Sequence, residues 1–320
     1  MRINDNGILI NYHDDPAVTR LEIPPEVKKI APHAFYGCEY LEEIIIPDGV
    51  DEIGTSAFEN CRELKSVTMP DTVEDLGKAA FKDCRKLTNV RISSGLYEIP
   101  SQAFDCCHSL TAVDVPEGVA VIGYDSFNGC FGLTSVSLPD SIGFIDNGAF
   151  METFSLKSIA IPDRVEDIGS YTFYRSGLEL ISYRGMEIYI DKTDKNFQSL
   201  EFSFTKGLQM WLANGCRGQT VMPKYLQDPF RIAHFTKTGD RRLLPYIKKN
   251  FARLFKTTIR TGNIPAVNAL IGINYLSMHN INVYINYAAE QRQHEIYLML
   301  MAHKETLGGK SRSASARLRL

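Results

Sequence analysis

The sequence is short of the signatures that carry chemistry. Neither G-x-S-x-G nor G-x-G-x-x-G occurs in its 320 residues, which excludes a nucleophile elbow and a dinucleotide-binding turn. Gly308-Gly309-Lys310-Ser311 ends like a phosphate loop, yet Lys304 stands where that loop needs its first glycine and no strand leads in. His13, His33, His108, His234, His279, His294 and His303 are scattered. His294-Glu295 has no second histidine at the spacing of a zinc-protease helix. Acidic residues crowd the turns, as in Asp48, Asp51, Asp71, Glu74 and Asp75, without the spaced oxygen ligands of a calcium loop. No catalytic residue, cofactor or metal is therefore expected.

Long apolar runs are missing too, none approaching the roughly 18 residues of a membrane-spanning helix. N-x-[ST] is absent, and MRINDNGILINYHDDP is acidic where a signal peptide would be basic and then apolar. The chain as it stands is expected in the cytoplasm, and at the cell surface if a leader precedes it. Cysteine is limited to seven residues with no C-x-x-C pair. Cys38, Cys61, Cys84, Cys107 and Cys130 recur at one interval, and Thr153 and Ser176 continue the column. That pattern suits buried, reduced thiols better than disulfides or a metal ladder. Cys106 must point away from Cys107, and Cys216 lies in the loop-like ANGCRGQ with no evident partner.

What the sequence does contain is a repeat. Phe35, Phe58, Phe81, Phe104, Phe127, Phe150 and Phe173 follow one another at 23-residue steps without a slip. In the unit LKSVTMPDTVEDLGKAAFKDCRK, Val67 and Met69 alternate like a short strand, and proline ends that strand in six units of seven, Ser93 being the exception. A second apolar pair follows, Val73 and Leu76 here. Gly54, Gly77, Gly123 and Gly169 then suggest a tight turn with positive φ. The spacing of Ala80, Phe81 and Cys84 predicts a short helical turn facing inward. Such a unit cannot bury its apolar side alone. Stacked coils can, with the phenylalanines as a spine and the strands as one parallel sheet along one side.

The repeat L-x-x-[IV]-x-[IVLM]-P-x-x-V-x-x-I-G-x-x-A-F-x-x-C resembles the BspA-like class of leucine-rich repeats over residues 18–177. The resemblance implies an α/β leucine-rich-repeat solenoid that binds other macromolecules, often at a cell surface, and implies no catalytic residues. Residues 1–17, with Ile8, Leu9 and Ile10, read as an N-terminal cap strand, and 178–190, with Arg184-Gly185 between apolar runs, as a capping hairpin. Residues 191–227 read as a connector.

From 228 to 307 the spacing turns helical. In LLPYIKKNFARLFKTTIR, Ile247, Phe251, Leu254 and Phe255 share one face, and Lys249, Arg253, Lys256 and Arg260 share another. A-V-N-A-L-I and H-E-I-Y-L-M-L-M resemble the second helices of degenerate ankyrin repeats, without the T-P-L-H signature. A mainly α-helical domain of helical hairpins is expected, then a disordered basic tail over 308–320.

Charge divides the chain in the same place. Residues 1–177 hold 14 Lys and Arg against 28 Asp and Glu, and residues 178–320 hold 21 against 10; the total of −3 conceals balances of −14 and +11. Such a division suits attraction between the two parts, within or between copies, or contact of the basic helices with an acidic partner, nucleic acid included. On the sheet, the outward positions Arg20, Glu22, Glu43, Ile45, Ser66, Thr68, Asn89, Arg91, Ala112, Asp114, Ser135, Ser137, Ser158 and Ala160 vary while the core positions repeat. A non-enzymatic scaffold with a protein partner on this face or on the basic helices is the expected function. A nucleic-acid-associated protein and a bacterial surface adhesin are the alternatives.

Overall fold

The computed structural model describes residues 1–190, 216 and 224–317. These fall into two compact units, the first over Met1–Arg184 and the second from Gly185 onward with all the described helices. The connector expected over 191–227 lies outside the described residues except for Cys216 and 224–227.

The first unit is a parallel solenoid. On one side, three-residue strands pair at one-coil offsets: Arg20–Glu22, Glu43–Ile45, Ser66–Thr68 and Asn89–Arg91 form one sheet. Ala112–Asp114 pairs with Ser135–Ser137, and Ser158–Ile161 with Leu180–Tyr183. The second residue of these strands is turned inward, fully buried as Ile44, Val67, Val113 and Ile159 and half-buried as Leu21, Val90 and Val136, as alternation requires.

A second parallel sheet stands where a turn and a single sheet were expected. Two-residue strands form Lys29–Ile30, Glu52–Ile53 and Asp75–Leu76, and then Glu98–Ile99, Val121–Ile122, Phe144–Ile145 and Asp167–Ile168. The break between its two halves has a chemical cause. After each strand the next backbone N–H donates to the coil before, as in Gly77 N to Ile53 O (2.7 Å) and Gly123 N to Ile99 O (2.8 Å). Pro100 holds that position in the fourth coil and has no N–H to give.

The glycines at this corner are needed for space rather than for positive φ. A Cβ on Gly77 would lie 2.2 Å from Thr55 N, and one on Gly169 2.4 Å from Asn147 N, so the backbones of successive coils touch there. Positive φ belongs instead to two other columns, His33, Ser56, Ala79, Gln102, Asp125, Gly148 and Tyr171, and Gly37, Asn60, Asp83, Cys106, Gly129, Glu152 and Arg175. These left-handed residues explain why the segments around the phenylalanines are chains of turns and not helix. Bonds between residues three apart, such as Cys84 N to Phe81 O (3.3 Å), close each turn, while Ala79 N, Phe81 N and Asp83 N donate to Ser101 O, Ala103 O and Asp105 O of the next coil (3.0, 2.9 and 2.8 Å). Alternate N–H groups thus tie one coil to the next on the third side as well.

The seven phenylalanines stack as expected. Ring centroids are 4.8–6.1 Å apart with planes within 11° of parallel, and every ring is fully buried. Each buried ring contributes about 1.5–3 kcal/mol by area alone. Tyr12, one coil before Phe35, continues the column at 5.3 Å. The N-terminal cap is an antiparallel pair, Arg2–Ile3 with Ile8–Asn11, whose second strand joins Lys29–Ile30.

The cysteine column is buried and reduced. Cys61, Cys84, Cys107 and Cys130 donate from Sγ to Phe35 O, Phe58 O, Phe81 O and Phe104 O at 3.0–3.3 Å, and Thr153 takes over with Oγ1 to Phe150 O at 2.8 Å. Burial pushes the thiols of Cys84, Cys107 and Cys130 well up. Cys106 turns outward toward Asp105 and is half-buried, its thiol raised to about 12 by burial and then by Asp105. The thiolate is the reactive form, so the column is inert in the folded chain. Iodoacetamide at pH 8 followed by peptide mass spectrometry is expected to leave Cys61, Cys84, Cys107 and Cys130 unmodified until denaturant is added. Labelling of these four in the native protein would show that the coils open.

The pair of strands expected over 178–190 is divided between the units. Leu180–Tyr183 is the last strand of the first, Met186–Tyr189 opens the second, and Arg184 and Gly185 between them have φ of 48° and 63°.

The second unit contains α1 (Lys224–Thr238), a single 3₁₀ turn (Arg241–Leu243), α2 (Leu244–Lys249), α3 (Phe251–Arg260), α4 (Ile264–Ile271), α5 (Ile281–Glu290) and α6 (His294–Arg317). The helix read across LLPYIKKNFARLFKTTIR is two helices, because Asn250 is the C-cap of α2 and the N-cap of α3. Ile247, Phe251, Leu254 and Phe255 are nonetheless all buried. A repeat emerges here: Phe251, Leu254, Phe255, Ala266 and Leu270 recur as the buried Ile281, Tyr284, Ile285, Ile296 and Leu300, thirty positions on. The connecting turns match, with Gly262 at φ 68° and Arg292 at 58°. Asn263 caps α4 by accepting from Ala266 N at 3.0 Å. The last helix runs on through Gly308-Gly309 to Arg317, where a disordered tail was expected; two glycines cost about 1 kcal/mol each, and the Lys, Ala and Arg that follow are good helix formers.

Candidate interaction surface

Three groups of side chains are candidates, two on the first unit and one on the second. On the sheet face, Arg20, Glu22, Thr68, Asn89, Arg91, Asp114, Ser135 and Ser137 are exposed, with Glu43 and Ser66 half-buried. Strand register brings Arg20, Glu43, Ser66 and Asn89 into one row. The charges of the first coils cancel locally. Arg20 pairs with Glu43 at 3.1 Å, and Arg91 with Asp71 at 2.7 Å while also donating to Met69 O. That guanidinium holds the Asp71 carboxyl below its ordinary range. Exposed pairs of this kind contribute about 0–1 kcal/mol each. From Ala112 onward the same face is small and nearly uncharged, through Ser135, Ser137, Ser158 and Ala160. A shallow hollow of about 560 Å³, lined by Leu138, Asp140, Ala160, Ile161, Pro162 and Arg164, lies beyond its downstream edge.

The upstream edge carries what the sequence reading missed. His108, Phe131 and Phe154, each four residues before the first outward strand position, stack in the open with centroids 4.4 and 5.1 Å apart. Phe131 is 36% and Phe154 42% exposed, and the Arg175 guanidinium lies 5.8 Å over the Phe154 ring. Burial, and then Arg85, hold the His108 imidazole below its ordinary range, which favours the uncharged ring that stacks on Phe131. The signal was available: the three share the 23-residue interval of the buried spine.

The basic residues of the second unit do not share one helix. Lys249 ends α2 and is exposed. Arg253 on α3 is ion-paired with Asp228 of α1, whose carboxylate also accepts from the Tyr246 hydroxyl at 2.6 Å. Lys256 lies 5.1 Å over the Tyr287 ring, and Arg260 donates to the Tyr287 hydroxyl at 3.3 Å. Three of the four cations are thus engaged in packing the helices. Among the described residues no cluster of His, Cys, Asp or Glu is arranged to hold a metal, and no helix is long and apolar enough to cross a membrane.

Coils of 23 residues around one aromatic column, with a parallel sheet facing outward, define the first unit as a leucine-rich-repeat solenoid. The family described as "BspA type Leucine rich repeat region (6 copies)" matches residues 11–132 and 97–203, and the chain belongs to it. Among solved structures it is similar to a leucine-rich repeat protein from Eubacterium ventriosum ATCC 27560, at 26% identity over 55% of this chain and 48% of that one, with a TM-score of 0.52. It is also similar to a leucine rich cell surface protein from Faecalibacterium prausnitzii A2-165, at 31% identity over 59% of this chain and 56% of that one, TM-score 0.51. The chain therefore spans about half the length of each. No curated protein matches it.

Proposed function

We propose that the protein is a non-enzymatic interaction scaffold whose solenoid binds a partner protein across the first sheet and its aromatic edge. Solenoids of this family typically act as interaction or adhesin-type scaffolds. The observation that carries the choice of face is the stack His108–Phe131–Phe154, its two phenylalanines exposed, beside a run of small residues. The few residues that carry most of the energy of a protein interface are enriched in aromatic side chains and arginine, and the near-neutral contacts around them exclude water. A cell-surface setting is a second reading, supported by the Faecalibacterium neighbour named as a cell surface protein.

The test is site-specific photo-crosslinking in the native host, with the photoreactive residue at Ser135 or Ser137 and, as control, at Glu117. A discrete protein adduct from the two serine positions, lost when Phe154→Asp is added, is expected. Equal labelling from all three positions, or adducts indifferent to Phe154→Asp, would contradict this choice of face.

A further inference from the structure

The second sheet has an outer face of its own that the proposal above does not use. Strand register sets Glu98, Val121, Phe144 and Asp167 side by side on four successive coils. At about 4.8 Å per strand the two carboxylates stand roughly 14 Å apart across an apolar pair. The preceding positions form a parallel row, Tyr97, Ala120, Gly143 and Glu166, tied by Ala120 N to Tyr97 O, Gly143 N to Ala120 O and Glu166 N to Gly143 O at 2.8–2.9 Å. Ala120 and Gly143 leave a floor in that row, with Tyr97 at one end and Phe144 along its side.

Two observations mark this floor as more than ordinary surface. Gly143 has neither a positive φ nor a crowded Cβ: the nearest atom to an added Cβ is Ala120 O at 4.0 Å, unlike Gly77, Gly123 and Gly169. The fold does not ask for glycine there, and a bare strand position invites the close approach of something else. The surrounding rings are also unusually open, with Tyr97 69%, Tyr124 47% and Phe144 37% exposed on three consecutive coils.

Charge narrows the occupant. Across residues 97–102, 120–125, 143–148 and 166–171 there is no lysine or arginine, whereas Glu98, Asp125, Asp146, Glu166 and Asp167 all lie there. Glu98, Glu166 and Asp167 are exposed and make no ion pair within the described residues. The coil before adds Glu74 and Asp75 together with one cation, Lys78, so the acidic face is continuous only from Glu98 onward.

We infer that this face is a docking site for a partner-protein segment carrying a large apolar side chain flanked by lysine or arginine. The apolar side chain would rest on Ala120 and Gly143 against Tyr97 and Phe144, and the cations would meet Glu98 on one side and Glu166 and Asp167 on the other. The inference rests on the scaffold reading but not on the face chosen there.

The test is fluorescence anisotropy of the full chain with the labelled peptide Lys-Arg-Phe-Leu-Arg-Lys, its Glu-for-cation version and its Ser-for-Phe-Leu version. Gly143→Leu fills the floor, and the open space there lets it fold with an unchanged melting curve. The basic apolar peptide is expected to bind, to lose at least about tenfold on Gly143→Leu, equivalent to 1.4 kcal/mol, and to weaken with added salt. Phe131→Ser is expected to leave this binding unchanged. No binding by the basic peptide, equal binding by the acidic one, or indifference to Gly143→Leu would overturn the inference. Loss on Phe131→Ser alone would also overturn it and leave the scaffold reading with the first sheet; crosslinks failing at Ser135 while the peptide binds would overturn only the choice of face made earlier.

Discussion

Phe104→Ala is expected to lower the stability of the solenoid by about 3–5 kcal/mol, the range for emptying a fully packed phenylalanine site. The ring is completely buried, with Phe81 at 5.5 Å on one side and Phe127 at 5.4 Å on the other. The neighbours cannot collapse into the hole, because Phe81 N, Asp83 N and Phe104 N are pinned to carbonyls of the next coil on either side of it. A loss of this size is a large fraction of the roughly 5–15 kcal/mol that holds a typical domain together. Denaturant titration followed by circular dichroism reads it. A midpoint shared with the parent protein would mean that the column does not carry the fold.

Gly77→Ala is the second variant with a large expected effect, although it adds one methyl group. Its Cβ would sit 2.2 Å from Thr55 N and 2.4 Å from the Gly54 carbonyl carbon, both backbone atoms with nowhere to go. The coils must separate locally, which lengthens the bond from Gly77 N to Ile53 O now at 2.7 Å. Overpacking of this kind costs about 1–3 kcal/mol, more where the backbone itself must shift. Gly143→Ala is the control: its Cβ meets open space, so its effect should stay within about 0.5 kcal/mol. If the two alanines behaved alike in the same titration, close contact between coils would not be the reason for Gly77.

These glycines also show what the sequence could and could not convey. Their recurrence was visible, and so was a corner; the reason was misjudged, since close approach and positive φ both select glycine. The residues that do adopt positive φ include Ala79, Gln102 and Tyr171, which carry no compositional mark. The spine, the first sheet and the proline stops were legible because each recurs in register with one residue class, the phenylalanines in all seven units and the prolines in six. The second sheet was not, because strands of two residues are too short to alternate. The break at Asn250 was hidden by apolar spacing that continues in phase across it.

For the surfaces, alternation separates the outward sheet residues from the core, with Glu43 and Ser66 only half-exposed, whereas the aromatic edge went unread. Phe131 and Phe154 lie in turns, beside a far louder phenylalanine column of the same period. The basic helix face was legible as a pattern of charge but not as a set of contacts, because Asp228 and Tyr287, which engage it, lie on other helices.

Everything proposed for the faces requires the coils to be one rigid stack. Amide hydrogen exchange on the full chain, read by mass spectrometry, tests that most directly. The segments around Phe58, Phe81, Phe104 and Phe127 should be slow together and to a similar degree, since each donates backbone N–H groups to the coil that follows. Exchange in those segments as fast as in the exposed turn at Asp48 would contradict the stack, and with it both proposed binding faces.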